Sequence, residues 1–295
     1  MKFEAPAKIN LTLDVTGLRH DGYHLVRMVM QSVTLKDIIT IEKDNGIEPG
    51  RDSGKSGIVL TCNDSNLETD ESNLICKAAL RMKERFSITD GVRIHLEKNI
   101  PLAAGLAGGS SDAAATLRGM SELFDLKVSQ KELMDIGVTI GADVPYCVMG
   151  KTALAEGIGE ILTVLPEMPD CGILLAKPKE SVSTGGVYKA LDALNGYEHP
   201  DTEGMIRSLE EKDIEKTGRL LCNVLENVTA VRNPSIGMLK NQMLQTGAFG
   251  ALMSGSGPTV FGIYESCQKA KNAGDMIKDL GFDGDVFAVS PMQPQ

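Results

Sequence analysis

The stretch from Asn99 to Met120 carries residue types that suit phosphate chemistry. Pro101, Leu102, Ala103, Ala104, Gly105, Leu106, Ala107, Gly108, Gly109, Ser110 and Ser111 lead into an alanine-rich run. Glycine permits backbone conformations closed to residues with a Cβ and lets a ligand approach the chain closely. Ser110, Ser111 and Asp112 are of the types that open helices by bonding the first amides. A glycine-rich turn feeding a helix start presents N–H groups and the positive end of a dipole, which together make an anion site. The spacing predicts a phosphate cradle, with the helix running from about Ser110 to Phe124. The same small residues would also serve an ordinary loop packed before a buried helix.

Other candidates lie far off in sequence. Lys8 and Asn10 share one face of a strand, about 7 Å apart at two residues' rise. From the pattern alone they read as a solvated strand face. Tyr23 and His24 follow an Asp21-Gly22 turn, where a ring could stack on a planar base and an imidazole bond its edge. A structural role for both is the plainer reading. Asp143, in Gly141-Ala142-Asp143-Val144-Pro145, is either a helix cap or a carboxylate held beside a phosphate site.

The elements that must position these groups can be read from periodicity. Ile9, Leu11, Leu13 and Val15 alternate with polar residues, which predicts a half-buried strand after Pro6. Strands follow over 25–35, 38–43, 57–62 and 92–96. A helix is expected from Thr69 or Asp70 to about Phe86, and Ser129 to Glu132 form a capping box for another. Gly50 to Ser56 ends like a nucleotide-binding P-loop, but three residues separate Gly50 from Gly54 where that loop needs four, so we read it as a mobile surface hairpin. After a change of character near Pro166 to Pro169, a strand over 173–176, a loop entering a helix at Tyr188, and further helices over 201–225 and 234–244 are expected. Ala251 to Phe261 reads as a second glycine-serine turn between strands, either a plain hairpin or a support for the first glycine loop. A helix from about Glu265 and a strand over 286–289 close the chain. Two domains are expected, 1–165 and 166–295.

Composition narrows the function. The 295 residues carry 42% apolar and 24% charged side chains, typical of a globular protein. A net charge of −10 argues against nucleic-acid or anionic-membrane binding, which needs a basic surface. Six scattered cysteines and four histidines form no zinc pattern and suggest reduced thiols in the cytoplasm. No apolar run approaches the length of a membrane span.

Three stretches, in this order, resemble one superfamily, the GHMP kinases, which includes galactokinase and the homoserine, mevalonate and phosphomevalonate kinases. They are Pro6-Ala7-Lys8-Ile9-Asn10, Pro101 to Ser111, and Ser254-Gly255-Ser256-Gly257-Pro258-Thr259. With Asp21 to His24 and Gly141 to Pro145, they resemble the branch whose alcohol substrate carries a cytidine diphosphate group. The resemblance implies an α+β, two-domain fold: an N-terminal domain of the ribosomal protein S5 domain 2 type and a ferredoxin-like C-terminal domain. ATP and the small-molecule substrate would meet in the cleft between them.

The resemblance also implies roles. The loop Leu102 to Ser111 would hold the triphosphate on its amides. Asp143 would take the hydroxyl proton, and Lys8 would steady the moving charge. Asn10 would orient substrate, Tyr23 and Tyr188 would sandwich the cytosine, and His24 would bond its edge. Magnesium is expected with ATP, with no ligands assigned. The protein is expected to be a monomer or homodimer without nucleic-acid or membrane partners. A homoserine- or mevalonate-type kinase and a non-catalytic ligand sensor are the rival readings.

Overall fold

Two long strands begin the chain, β1 (Lys2–Leu18) and β2 (His24–Lys43). The computed structural model describes residues 1–44, 46–47, 57–194 and 196–292, so the hairpin expected over Gly50 to Ser56 lies outside the described residues. Packing divides the chain into two compact units. The first is Met1–Ala7, Lys36–Ile100 and Ala107–Met149; the second is Lys8–Leu35, Pro101–Leu106 and Gly150–Gln295. The units draw on interleaved segments, and β1 and β2 each contribute to both.

In the first unit, β3 (Ile58–Cys62) pairs in parallel with β4 (Val92–Glu97). β4 in turn runs antiparallel to the end of β2, from Ile38 opposite Glu97 to Lys43 opposite Val92. Val92, Ile94 and Leu96 are wholly buried, as period-two alternation requires. α1 (Leu74–Phe86) and α2 (Gly108–Leu123) pack on this sheet, and α3 (Gln130–Gly137) and α4 (Val144–Met149) pack on α2 and on each other. Asn73 caps α1 through the Ile75 amide, so the helix starts later than Thr69 or Asp70. α2 is buried nearly all round from Ser111 to Leu117, mostly through small side chains. A Cβ at Gly119 would lie 3.1 Å from both Phe3 and Ile41, which is why the helix can sit so close to the sheet.

In the second unit, β1 pairs with β2, and β2 with β5 (Ala153–Glu156), which pairs with β6 (Ile161–Val164). A separate four-stranded sheet contains β7 (Gly172–Lys177). Between β7 and the rest of that sheet in sequence come α5 (Thr184–Leu191), α6 (Thr202–Glu210) and α7 (Ile214–Arg219). β8 (Cys222–Asn223) runs parallel to β1, with Thr12 opposite Cys222. Then follow α8 (Glu226–Arg232), α9 (Pro234–Gln245), β9 (Gly250–Met253), β10 (Val260–Tyr264), α10 (Cys267–Asp279) and β11 (Asp285–Val289). The second sheet has the order β11-β7-β10-β9. Every residue of β7 is buried, and α10 covers it with Ala270, Ala273 and Ile277.

Three expectations are corrected here. The strands expected over 25–35 and 38–43 are one, because Asp37 continues the ladder with its carboxylate fully buried and engaged. The face of β1 that carries Lys8, Asn10 and Thr12 is buried, not solvated, with exposures of 4%, 0% and 0%. α2 begins at Gly108, two residues before Ser110.

Candidate active site

The glycine loop is built by its backbone. Ala103, Gly105 and Ala107 all take positive φ, 49°, 75° and 55°. Gly105 is required twice over. Its φ disfavours a side chain, and a Cβ there would fall 2.3 Å from the Ser254 carbonyl and 3.0 Å from that of Gly257. Ser254 Oγ donates to the Gly105 carbonyl at 3.0 Å. The second glycine-serine turn is therefore a brace for the first. It is itself tied down: Asn223 Nδ2 donates to the Met253 and Gly255 carbonyls, each at 2.8 Å, and the Thr184 and Ser256 hydroxyls lie 2.9 Å apart. On its other side the loop meets β1, where the Lys8 amide donates to the Leu106 carbonyl at 3.1 Å.

The loop delivers the chain into α2. Ala107 occupies the N-cap in the left-handed region and offers no side-chain cap. The first helical hydrogen bond runs from the Ser111 amide to the Ala107 carbonyl, at 2.9 Å. The amides of Gly108, Gly109 and Ser110 thus precede the helical ladder and face the dipole's positive end, the arrangement that binds phosphate. Ser110 and Ser111 are not caps; they lie inside the first turn, and Ser111 Oγ is buried with no hydrogen-bond partner among the described residues.

Lys8 Nζ donates to Asn10 Oδ1 at 2.7 Å, and Asn10 Nδ2 faces Met28 Sδ at 3.2 Å. This bond ties the two side chains together on one face of β1. Asp143 sits half-buried just before α4, its carbonyl accepting from the Cys147 amide at 3.1 Å. Two residues earlier, Gly141 runs beside α2: a Cβ there would lie 3.9 Å from Ser110 Oγ. Lys8 belongs to the second unit and Asp143 to the first.

In the second unit, Tyr188 of α5 stacks on His24, with ring centroids 4.7 Å apart and planes inclined by 30°. His24 Nε2 lies 2.8 Å from Asp192 Oδ1. Tyr23 is exposed, with the Arg19 guanidinium 5.7 Å from its ring centroid. The structure therefore brings His24 and Tyr188 together and leaves Tyr23 open to solvent. Asp192 escapes sequence reasoning because its only signal is a carboxylate 168 residues from the histidine it meets.

A second group missed in the sequence lies under the start of α2. Lys98 Nζ bonds Asp37 Oδ2 and reaches Asp112 Oδ2 at 3.1 Å. Burial pushes the Asp112 carboxyl up to about 8; Lys98 opposes this and Asp37 adds to it. Burial works to lower the Lys98 ammonium, but the two carboxylates outweigh it and leave it raised. Among the described residues no three His, Cys, Asp or Glu side chains gather as a metal cage.

This is the two-part α+β architecture of a small-molecule kinase class. The model of the GHMP kinases N terminal domain matches residues 73–151, and that of the GHMP kinases C terminal domain matches 205–282. The chain belongs to the GHMP kinase family, in the branch whose curated members are called 4-diphosphocytidyl-2-C-methyl-D-erythritol kinase. One such relative, from Caldicellulosiruptor saccharolyticus, is 49% identical over 94% of this chain and 93% of its own. Another, from Clostridium botulinum, is 46% identical over 96% and 98%. A crystal structure of 4-(cytidine 5'-diphospho)-2C-methyl-D-erythritol kinase superposes with a TM-score of 0.82 at 30% identity, covering all of both chains. A homoserine kinase from Cytophaga hutchinsonii shares the fold, with a TM-score of 0.76 at 21% identity over all of this chain and 96% of that one.

Proposed function

We propose that this protein transfers the γ-phosphoryl group of ATP to the 2-hydroxyl of 4-diphosphocytidyl-2-C-methyl-D-erythritol, a step toward isoprenoid precursors by the non-mevalonate route. The observation that carries the reading is the uncapped start of α2, fed by a loop whose backbone is fixed by Ser254. The names of relatives that align over almost the whole chain support the substrate.

Phosphoryl transfer demands positioning, charge neutralisation and an acceptor for the hydroxyl proton. The amides from Leu102 to Ser111 hold the polyphosphate. Asp143 accepts the proton as the substrate oxygen attacks the γ-phosphorus and ADP departs. Lys8, kept extended by Asn10, balances the charge that moves during transfer; Asn10 acts on the substrate through Lys8. Tyr188 stacks on the cytosine, Tyr23 closes over its other face, and His24 bonds its polar edge. ATP brings magnesium with it. Among the described residues no helix is long and apolar enough to cross a membrane, and we place the protein in the cytoplasm as a monomer or homodimer. We also take the family domains to divide near residue 165, since the two family models fall on either side of it.

The test is a phosphorylation assay with ATP and three alcohols: the cytidine diphosphate substrate, homoserine and mevalonate. Turnover of the first alone supports the reading. Preference for either of the others would move the protein to another branch, and absence of turnover with all three would favour a ligand sensor.

A further inference from the structure

Three charged side chains in the first unit are almost completely out of water. The exposures of the Lys98, Asp37 and Asp112 side chains are 4%, 0% and 3%. Burying such a group is costly unless its geometry is nearly ideal, so its placement calls for a reason. Asp37 uses both oxygens. Oδ2 takes Lys98, while Oδ1 accepts the backbone amides of Asn99 at 2.5 Å and Ile100 at 2.8 Å. These are the last residues before the glycine loop. Lys98 then bonds Asp112, the fifth residue of α2, and packs against the first: a Cβ on Gly108 would lie 2.8 Å from Nζ. Gly108, unlike Gly105, is not among the positive-φ residues; it is small because Lys98 fills the space where its side chain would be.

We propose that Lys98 is a positioning residue for the nucleotide, clamping the entry and exit of the glycine loop to each other through Asp37 and Asp112. Between the clamped ends run Pro101 to Ala107, with two alanines and a glycine in the left-handed region. That path is strained for alanine and is held only where its surroundings over-determine it. One ammonium reaches both ends: Ile100 through the Asp37 carboxylate, which accepts both the ammonium and the Ile100 amide, and Gly108 by direct packing. Asp112 Oδ1 is buried without a partner among the described residues, so the cluster is not arranged for the greatest stability. The inference rests on the reading that this loop holds ATP.

The test uses the full-length enzyme and compares Lys98→Met, the double variant Lys98→Met/Asp112→Leu, and Gly105→Val as a control. Thermal midpoint, ADP affinity, and KM for ATP and for the alcohol are measured on each. We expect Lys98→Met to raise KM for ATP and to weaken ADP binding about tenfold or more, with KM for the alcohol little changed. The double variant removes one of the two carboxylates that lose Lys98, while Asp37 keeps its two amide donors, so it recovers part of the thermal midpoint but not the nucleotide affinity. Should Lys98→Met fail to fold, the double variant decides. A double variant that binds ATP within about twofold of the parent overturns the clamp and leaves Lys98 a neutraliser of buried acids. If Gly105→Val also binds nucleotide normally, the loop assignment itself fails, and the inference with it.

Discussion

Ser254 Oγ donates to the carbonyl of Gly105 at 3.0 Å, across 149 residues of sequence. The Ser254 carbonyl lies so close that a Cβ at 105 would meet it at 2.3 Å. Two glycine-serine turns far apart in sequence thus meet through their backbones, with Asn223 securing the second turn.

Gly105→Ala should displace the loop, because the obstructing atoms are backbone and cannot swing aside. A shift of about 1 Å can cost about 100-fold in rate, so kcat/KM for ATP should fall by about that factor. Steady-state kinetics at varied ATP check this, and a loss of less than threefold would count against the brace.

Ser254→Ala keeps the turn's shape but removes the donor. A hydrogen bond of this kind contributes about 1 kcal/mol net. Nucleotide affinity should fall about fivefold, as read by titration calorimetry, with the thermal midpoint nearly unchanged. Unaltered affinity would show that the hydroxyl is dispensable.

Tyr188→Ala should raise KM for the cytidine substrate about 10- to 100-fold, since stacking on an aromatic ring contributes about 1–3 kcal/mol per base. KM for ATP should not change. His24→Ala should act in the same direction. Equal effects on both substrates would point to a structural role for the stacked pair.

The buried Asp112 carboxyl gives a pH signature. Its proton is held to about pH 8 in the folded chain, against an ordinary value near 3.8. A pKa raised by folding contributes stability that is complete below the lower value and lost as pH rises through the upper one. The thermal midpoint should therefore fall between pH 4 and 8, and Asp112→Asn should flatten that fall. Melting curves across this range check it; the same slope in both proteins would contradict it.

Sequence patterning revealed the glycine loop, the strand behind Lys8 and the turn before Asp143, because each depends on local residue types. It missed that Lys8 and Asn10 are buried, since a polar face reads as solvent whenever the covering element is distant in sequence. It split β2 at Lys36-Asp37 because a carboxylate inside a strand looks like a break unless its partners, Lys98 and two amides some 60 residues away, are known. Serine is a good cap and points to a helix start at Ser110, whereas Ala107 takes the cap position through its backbone alone. The stacking of Tyr188 on His24 and the bond to Asp192 are tertiary and leave no local trace.

We propose that Asp143 takes the proton while the loop separately holds the nucleotide. Asp143→Asn preserves shape and removes the base, and general-base catalysis contributes about 10²–10⁴ in rate. Turnover of the cytidine substrate by this variant, measured beside its ADP affinity, is the most direct test. We expect kcat to fall at least about 100-fold with ADP affinity unchanged. Turnover within a few-fold of the parent would contradict the account.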